Sequence, residues 1–228
     1  MLPFIVAGVA LVGGGVAIYK YFTSDDDQPK QDSGPVARRL GTFVIWGRPD
    51  VGKTTLIARL RGLEPAPKVK ITSTSRIEYP HVTLNGLHDG PWYLSKIVDI
   101  PGTQDRFKDW LSMVATDAHV FYMIDLSRID EPEYLSRVKL DVAETVKALG
   151  ASTKAKKRIN IIASHVDVSK WGGKKNDPNL NNILQSDPEM RALYESLSDV
   201  SGYIYSADLT DKASFLRLLQ SIVNDCRA

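Results

Sequence analysis

A single cysteine, Cys226, in 228 residues excludes an internal disulfide framework and any metal site built from several thiolates, and it suits a reducing compartment. Only two residues follow it, so a four-residue C-terminal prenylation signal is absent as well. The chain also lacks a dominant charge, with 29 Lys and Arg against 27 Asp and Glu. No overall field draws it to an anionic polymer, and no nucleic-acid partner is expected. No internal repeat is visible. With 43% hydrophobic residues the chain supports one ordinary globular domain with a surplus, and the surplus lies at the N-terminal side.

Residues 2–18 carry no charged or strongly polar side chain, and Tyr19, Tyr21 and Phe22 close the run around Lys20. As a helix, residues 2–18 rise about 26 Å, and residues 19–22 bring the segment close to the ~30 Å hydrocarbon thickness. No basic residue precedes the apolar stretch and no small-x-small cleavage site follows it, which argues against a cleaved signal peptide. The expectation is a single transmembrane anchor over residues 1–22. Lys20 on the domain side agrees with a single-pass membrane protein whose globular part faces the cytoplasm. Gly13 to Gly15 and the pair Ala10/Gly14 permit close helix approach, so a homodimer is one candidate arrangement. Residues 23–38 are acidic, proline-bearing and nearly without large apolar groups, the composition of a flexible linker.

From residue 39 onward, short apolar runs alternate with helical patterns, which predicts an α/β domain over 39–228 with helices on both faces of a mostly parallel sheet. Strands are expected over 41–46, 76–84, 92–99, 118–125, 158–164 and 202–205. Helices are expected over 54–61, 106–114, 131–149, 188–197 and 212–226. The turn-rich residues 85–90 (NGLHDG) between the second and third strands read as a hairpin, placing one antiparallel edge strand on the six-stranded sheet. The polar stretch 171–185 (WGGKKNDPNLNNILQ) reads as an insertion suited to partner contacts. The basic run 154–158 reads as a solvated connection, with anionic lipid headgroups as the alternative contact.

The first strand feeds Gly47-Arg48-Pro49-Asp50-Val51-Gly52-Lys53-Thr54, a Walker A loop in the required strand-loop-helix order. Its glycines let the backbone N–H groups of Asp50, Val51, Gly52, Lys53, Thr54 and Thr55 curl around a polyphosphate, and the helix adds its positive end. Lys53 is expected to reach the β- and γ-phosphates and the Thr54 hydroxyl to ligate Mg2+. One hairpin later, Asp99-Ile100-Pro101-Gly102 puts a carboxylate at a strand's C-terminal edge, where α/β sheets place ligand groups. Asp99 is read as holding a Mg2+-bound water and the Gly102 N–H as meeting a γ-phosphate.

These two loops, followed by Ser164-His165-Val166-Asp167 and by Ser206-Ala207, each after an apolar strand, resemble the ordered motifs of TRAFAC-class GTPases, which include Ras-like, Arf-like, dynamin-like and translation-factor proteins. The resemblance covers residue 40 to the C-terminus and implies a three-layer P-loop G domain, GTP/GDP and Mg2+ as cofactors, and a slow GTP-hydrolysing switch. It further implies that Asp167 accepts the guanine N1 and N2 hydrogens and that the Ala207 N–H faces guanine O6, with Ser206 beside it. Three departures stand out. Ser164 and His165 replace the usual Asn and Lys, so the carboxylate remains but its support is altered; His165 either lies along the guanine or packs. Thr103 stands where Ras-like proteins place a water-orienting glutamine, and Gln104 comes one position later; either Gln104 swings in as a catalytic residue or a partner arranges the attacking water. The switch threonine that closes over Mg2+ is either Thr72 or Thr74. An unknown effector or activating protein is implied. A nearly inert, GTP-loaded docking module, like the Arf-like membrane subunit of the signal-recognition-particle receptor, is the alternative, and an ATP-dependent protein with an accidental Asp167 is a third.

Overall fold

The computed structural model describes residues 38–65, 75–156, 158–197 and 200–227. The predicted anchor and all of the predicted linker except Arg38 lie outside them, as do Thr72 and Thr74. Among the described residues no helix is long and apolar enough to cross a membrane.

Six strands form one sheet: β1 (Arg39–Gly47), β2 (Ile77–Leu84), β3 (Trp92–Asp99), β4 (His119–Asp125), β5 (Arg158–Ser164) and β6 (Ser201–Ser206). Their order is β2-β3-β1-β4-β5-β6. β1 runs parallel to β3 and β4, β5 parallel to β4, and β6 parallel to β5. Only β2 is antiparallel, paired with β3 so that Ile77 opposes Asp99. This is the expected sheet, and its polarity has one consequence for function. The C-terminal residues of five strands, Gly47, Asp99, Asp125, Ser164 and Ser206, come out at one pole, where open α/β sheets bind ligands.

Alternation along β1 splits the core. Val44 and Trp46 face a buried cluster with α2 (Phe107–Val114), α3 (Pro132–Ala151), α4 (Leu180–Ser186) and α5 (Pro188–Glu195). Phe43 and Ile45 face the other cluster, with α1 (Lys53–Leu60) and α6 (Lys212–Arg227). Both faces of the central strands are therefore covered, which is why β4 and β5 read as nearly unbroken apolar runs.

The stretch 171–185 departs from its reading as a polar insertion. Trp171, Leu180 and Leu184 are buried in the core, and α4 forms over the asparagine-rich sequence LNNILQS. Leu180 and Leu184 lie one turn apart, so a single i, i+4 pair anchors the helix while its polar residues face outward.

Candidate nucleotide site

β1 ends at Gly47, and there is no room at that position for a side chain. A Cβ would meet the Met123 carbonyl oxygen at 2.5 Å and the Met123 Cβ at 2.9 Å. The loop then turns through positive φ at Asp50 (65°) and Gly52 (84°) before α1 begins at Lys53. Gly52 supplies no side-chain cap, so the first N–H groups of α1 are left for a ligand. Thr54 is exposed and Thr55 half-buried in that first turn, and Val51 is buried beneath it.

The Lys53 ammonium folds back over the loop, donating to the carbonyl oxygens of Gly47 (2.7 Å) and Arg48 (3.0 Å). Burial lowers its pKa to about 8, opposed by the nearby Asp99 and Asp50 carboxylates. Asp99 closes β3 beside Ile45 of β1. Its Oδ1 is buried with no hydrogen-bond partner among the described residues, and burial raises its pKa against the pull of Lys53. Gly102 presses on the loop: a Cβ there would lie 2.2 Å from the Gly47 oxygen and 2.7 Å from Lys53 Nζ. Trp46 Nε1 fixes the approach by donating to the Pro101 carbonyl at 2.9 Å.

An orphaned carboxylate oxygen and an exposed threonine hydroxyl are hard oxygen donors, and they fit Mg2+, which takes few protein ligands and completes its shell with phosphates and water. Among the described residues no group of three or more His, Cys, Asp or Glu could hold a metal by itself.

The loop read in the sequence as recognising the base follows β5. Ser164 Oγ lies 2.9 Å from the Val51 carbonyl and 3.0 Å from that of Ile124, tying this loop to the Walker A loop. A serine thus ties the two loops at the position where the resemblance implies an asparagine, a contact that the sequence did not disclose. His165 adopts a left-handed conformation (φ 55°), with Nδ1 3.3 Å from Asp125 Oδ1 and 3.3 Å from Ser164 Oγ. Its Cε1 would lie 3.9 Å from a Cβ at Gly52, so the ring rests beside the phosphate loop, anchored inward at one edge and about a third exposed. Asp167 sits on a 3-10 turn, Val166–Val168, half-buried. Gly172 packs against its backbone so closely that a Cβ would meet the Asp167 oxygen at 2.4 Å.

One expected contact is not formed. The Ala207 N–H donates to the Ala163 carbonyl at 3.0 Å, extending the β5–β6 ladder, and is not available to guanine O6 in this conformation. Ser206 Oγ bonds Asn181 of α4 at 3.1 Å, and Asp208, two residues on, pairs with Lys175 at 3.1 Å. Gln104 opens a 3-10 turn and is exposed, while Thr103 is engaged with the Asp105 carboxylate.

A network that the sequence reading missed also converges here. Arg48 makes a bidentate pair with Asp141 of α3 (2.7 and 2.8 Å), and Tyr122 Oη donates to the same carboxylate at 3.0 Å. One turn on, the Trp110 Nε1 of α2 donates to Thr145 Oγ at 2.9 Å. An arginine in a glycine-rich loop reads as a phosphate contact, and a polar residue on a helix as solvent-facing; neither signal announces a buried pair.

Residues 42–165 match the protein family described as 50S ribosome-binding GTPase. The match runs from β1 through His165, so it contains the Walker A loop, Asp99 and Gly102, and stops before Asp167. Two curated relatives are the "tRNA modification GTPase MnmE" of Shewanella frigidimarina, 27% identical over 57% of this chain and 31% of its own, and that of Aeromonas hydrophila, 27% identical over 54% and 29%. The chain therefore spans about a third of the length of these relatives. With more than half of the chain covered by that match, and with phosphate loop, lysine and strand-end carboxylate in their places, the protein belongs to the 50S ribosome-binding GTPase family.

Proposed function

We propose that this chain is a membrane-tethered GTPase that binds GTP with Mg2+, hydrolyses it slowly to GDP and phosphate, and works as a nucleotide-dependent switch. The observation carrying the hydrolytic reading is the juxtaposition at one strand pole of Lys53 over the glycine loop, Gly102 against it, and the unpartnered Asp99 Oδ1. Thr54, a switch threonine (Thr72 or Thr74) and, through water, Asp99 would hold Mg2+, which would supply positive charge where the phosphates become more negative. Lys53 supplies a second positive charge to them, and the amides from Asp50 to Thr55 and of Gly102 donate to their oxygens. No side chain among the described residues of this site stands as a general base, so catalysis rests on positioning and electrostatics, with a water molecule attacking the γ-phosphate and GDP leaving. Gln104 is exposed rather than turned inward, which supports slow turnover without a partner.

Guanine selection is assigned to Asp167, because an adenine offers no matching pair of donors and would strand the carboxylate. Membrane attachment is assigned to residues 1–22 on their length and the uncharged run 2–18. The tRNA modification named for the relatives belongs to longer proteins, of which the match covers about a third, and the reading here stays with the nucleotide step.

Thr103 in place of the expected glutamine favours a second reading, a nearly inert GTP-loaded docking module that recruits a partner to the membrane. Phosphate release by the purified chain, with and without a membrane extract, separates the two. Turnover of GTP in either condition, with Asp167→Asn shifting preference toward xanthosine triphosphate, supports the switch. GTP that binds tightly yet is never cleaved in either condition removes the enzyme reading, and unchanged base preference in the variant removes Asp167 from the site.

A further inference from the structure

The parallel strands that gather the nucleotide groups at one pole must gather their N-terminal ends at the other. There Arg39 pairs in register with Tyr93, and Arg158 with Ser201. The connection after α3 brings Lys154 and Lys156 to the same end, and α6 delivers Arg227. Arg38, where the chain enters the described fold, and Arg227, near the end of α6, both stack over Trp92, at 5.7 and 4.3 Å. Two tyrosines are exposed among these cations: Tyr93, and Tyr203 with the Arg158 guanidinium 5.6 Å above its ring. The acidic groups here include Asp89, which Arg38 and Arg227 engage, Asp117, 3.9 Å from Lys156, Asp225, bonded by Tyr205, and exposed Glu195 at the end of α5. Cations outnumber acids, and their field is felt locally: buried His119 has its pKa lowered to about 4, by burial first and then by Lys156 and Arg158.

We infer that this basic and tyrosine-bearing pole, opposite the nucleotide, is a docking face for anionic lipid headgroups. The inference rests on the membrane-tethered reading above and deepens it. Exposed tyrosines interleaved with Arg and Lys are the composition of a membrane interface, where amphipathic rings and cations meet headgroups. Position decides between a bilayer and a nucleic acid. The chain enters the fold through Arg38 at this very pole, and residues 23–37 span at most ~50 Å even when extended, so an anchor in residues 1–22 keeps a bilayer within reach of this end. A face tethered so closely meets lipid at a high effective concentration, and a weak electrostatic contact is then populated. Docked in this way, the domain presents its nucleotide pole to the cytoplasm, where GTP and a partner arrive.

The test uses the full chain reconstituted with vesicles of pure phosphatidylcholine and with vesicles that also contain phosphatidylglycerol. Flotation on neutral vesicles reports the anchor, and lysine acetylation read by mass spectrometry reports the face. The chain should float with both. On anionic vesicles alone Lys154 and Lys156 should be modified at least ~5-fold more slowly, with the protection lost in high salt and exposed Lys174, at the nucleotide pole, unaffected. Flotation on both with equal lysine reactivity overturns the docking face and leaves the anchor standing. Failure to float on neutral vesicles overturns the anchor itself, and the docking face with it. Equal protection of the same lysines by a short nucleic-acid duplex without vesicles, at physiological salt, reassigns the pole to nucleic acid and overturns the lipid proposal.

Discussion

Lys53 serves two states with opposite demands. Folded over the loop, its ammonium is buried against carbonyls and its pKa falls to about 8; a bound triphosphate would bring several negative oxygens that favour the charged form. Binding must therefore raise the pKa above its free value. Below pH 8 the lysine is charged in both states and affinity is flat with respect to this group. Between about 8 and the higher pKa of the complex, binding takes up a proton, and affinity falls by up to ~10-fold per pH unit. The γ-phosphate is fully ionised in that range and adds nothing to the slope. Calorimetry near pH ~9 in two buffers of different ionisation enthalpy should show uptake approaching ~1 proton; identical affinities at neutral and alkaline pH would remove Lys53 from the phosphates. The identity of this lysine was plain from the spacing of its neighbours, since the loop pattern and its strand-to-helix setting are local. Ser164 was not. Its value lies in reaching Val51, 113 positions earlier in the chain, and no local pattern reports such a contact.

Between elements, the phosphate loop is held to α3 by the Arg48–Asp141 pair, and α3 to α2 by Thr145 and Trp110. α2 begins five residues after Gly102, the glycine proposed to meet the γ-phosphate, so the helix that would respond to hydrolysis is seated against the helix that holds the loop. Asp141 is 4% exposed and Arg48 14%, so truncating the acid strands a guanidinium and leaves the Tyr122 hydroxyl without its acceptor. Asp141→Ala should cost about 3–5 kcal/mol in urea unfolding. An apolar double replacement, Arg48→Met with Asp141→Leu, should recover much of that loss, because neither charge then remains buried alone. A loss below ~1 kcal/mol in the single variant would mean that water reaches and solvates the freed arginine. Periodicity made all six strands and five of the six helices legible, because each buries a stripe or an alternating face that the sequence repeats. α4 escaped because only two leucines are fully buried in it, with Ile183 partly so, and asparagines surround them. The Arg48 network escaped because a charged residue that is buried with its partner looks, in sequence, like one at the surface.

For the molecule as a whole, the ligand and the fold are linked through one pole of the sheet. GTP would touch loops following β1, β3, β5 and β6, four strands that span most of the sheet's width, so it rewards the native arrangement and nothing in the unfolded chain. At a free concentration of about 100 times its Kd, the gain is about 2.7 kcal/mol. For a domain of this size each kcal/mol moves Tm by about 2–4 °C, so GTP with Mg2+ should raise the midpoint by about 5–10 °C. Chelating the metal leaves the phosphate charge facing Asp99 without a cation between them, and most of that rise should vanish. ATP at the same concentration should give less than ~1 °C, because its adenine strands the Asp167 carboxylate that guanine satisfies. An equal shift with ATP would retain the phosphate loop and discard the base pocket. A full shift in the presence of chelator would retain both and discard Asp99 and Thr54 as the metal's protein partners. The separation is open to experiment because Asp99, proposed for the metal, ends β3, and Asp167, proposed for the base, follows β5, each apart from the phosphate loop after β1.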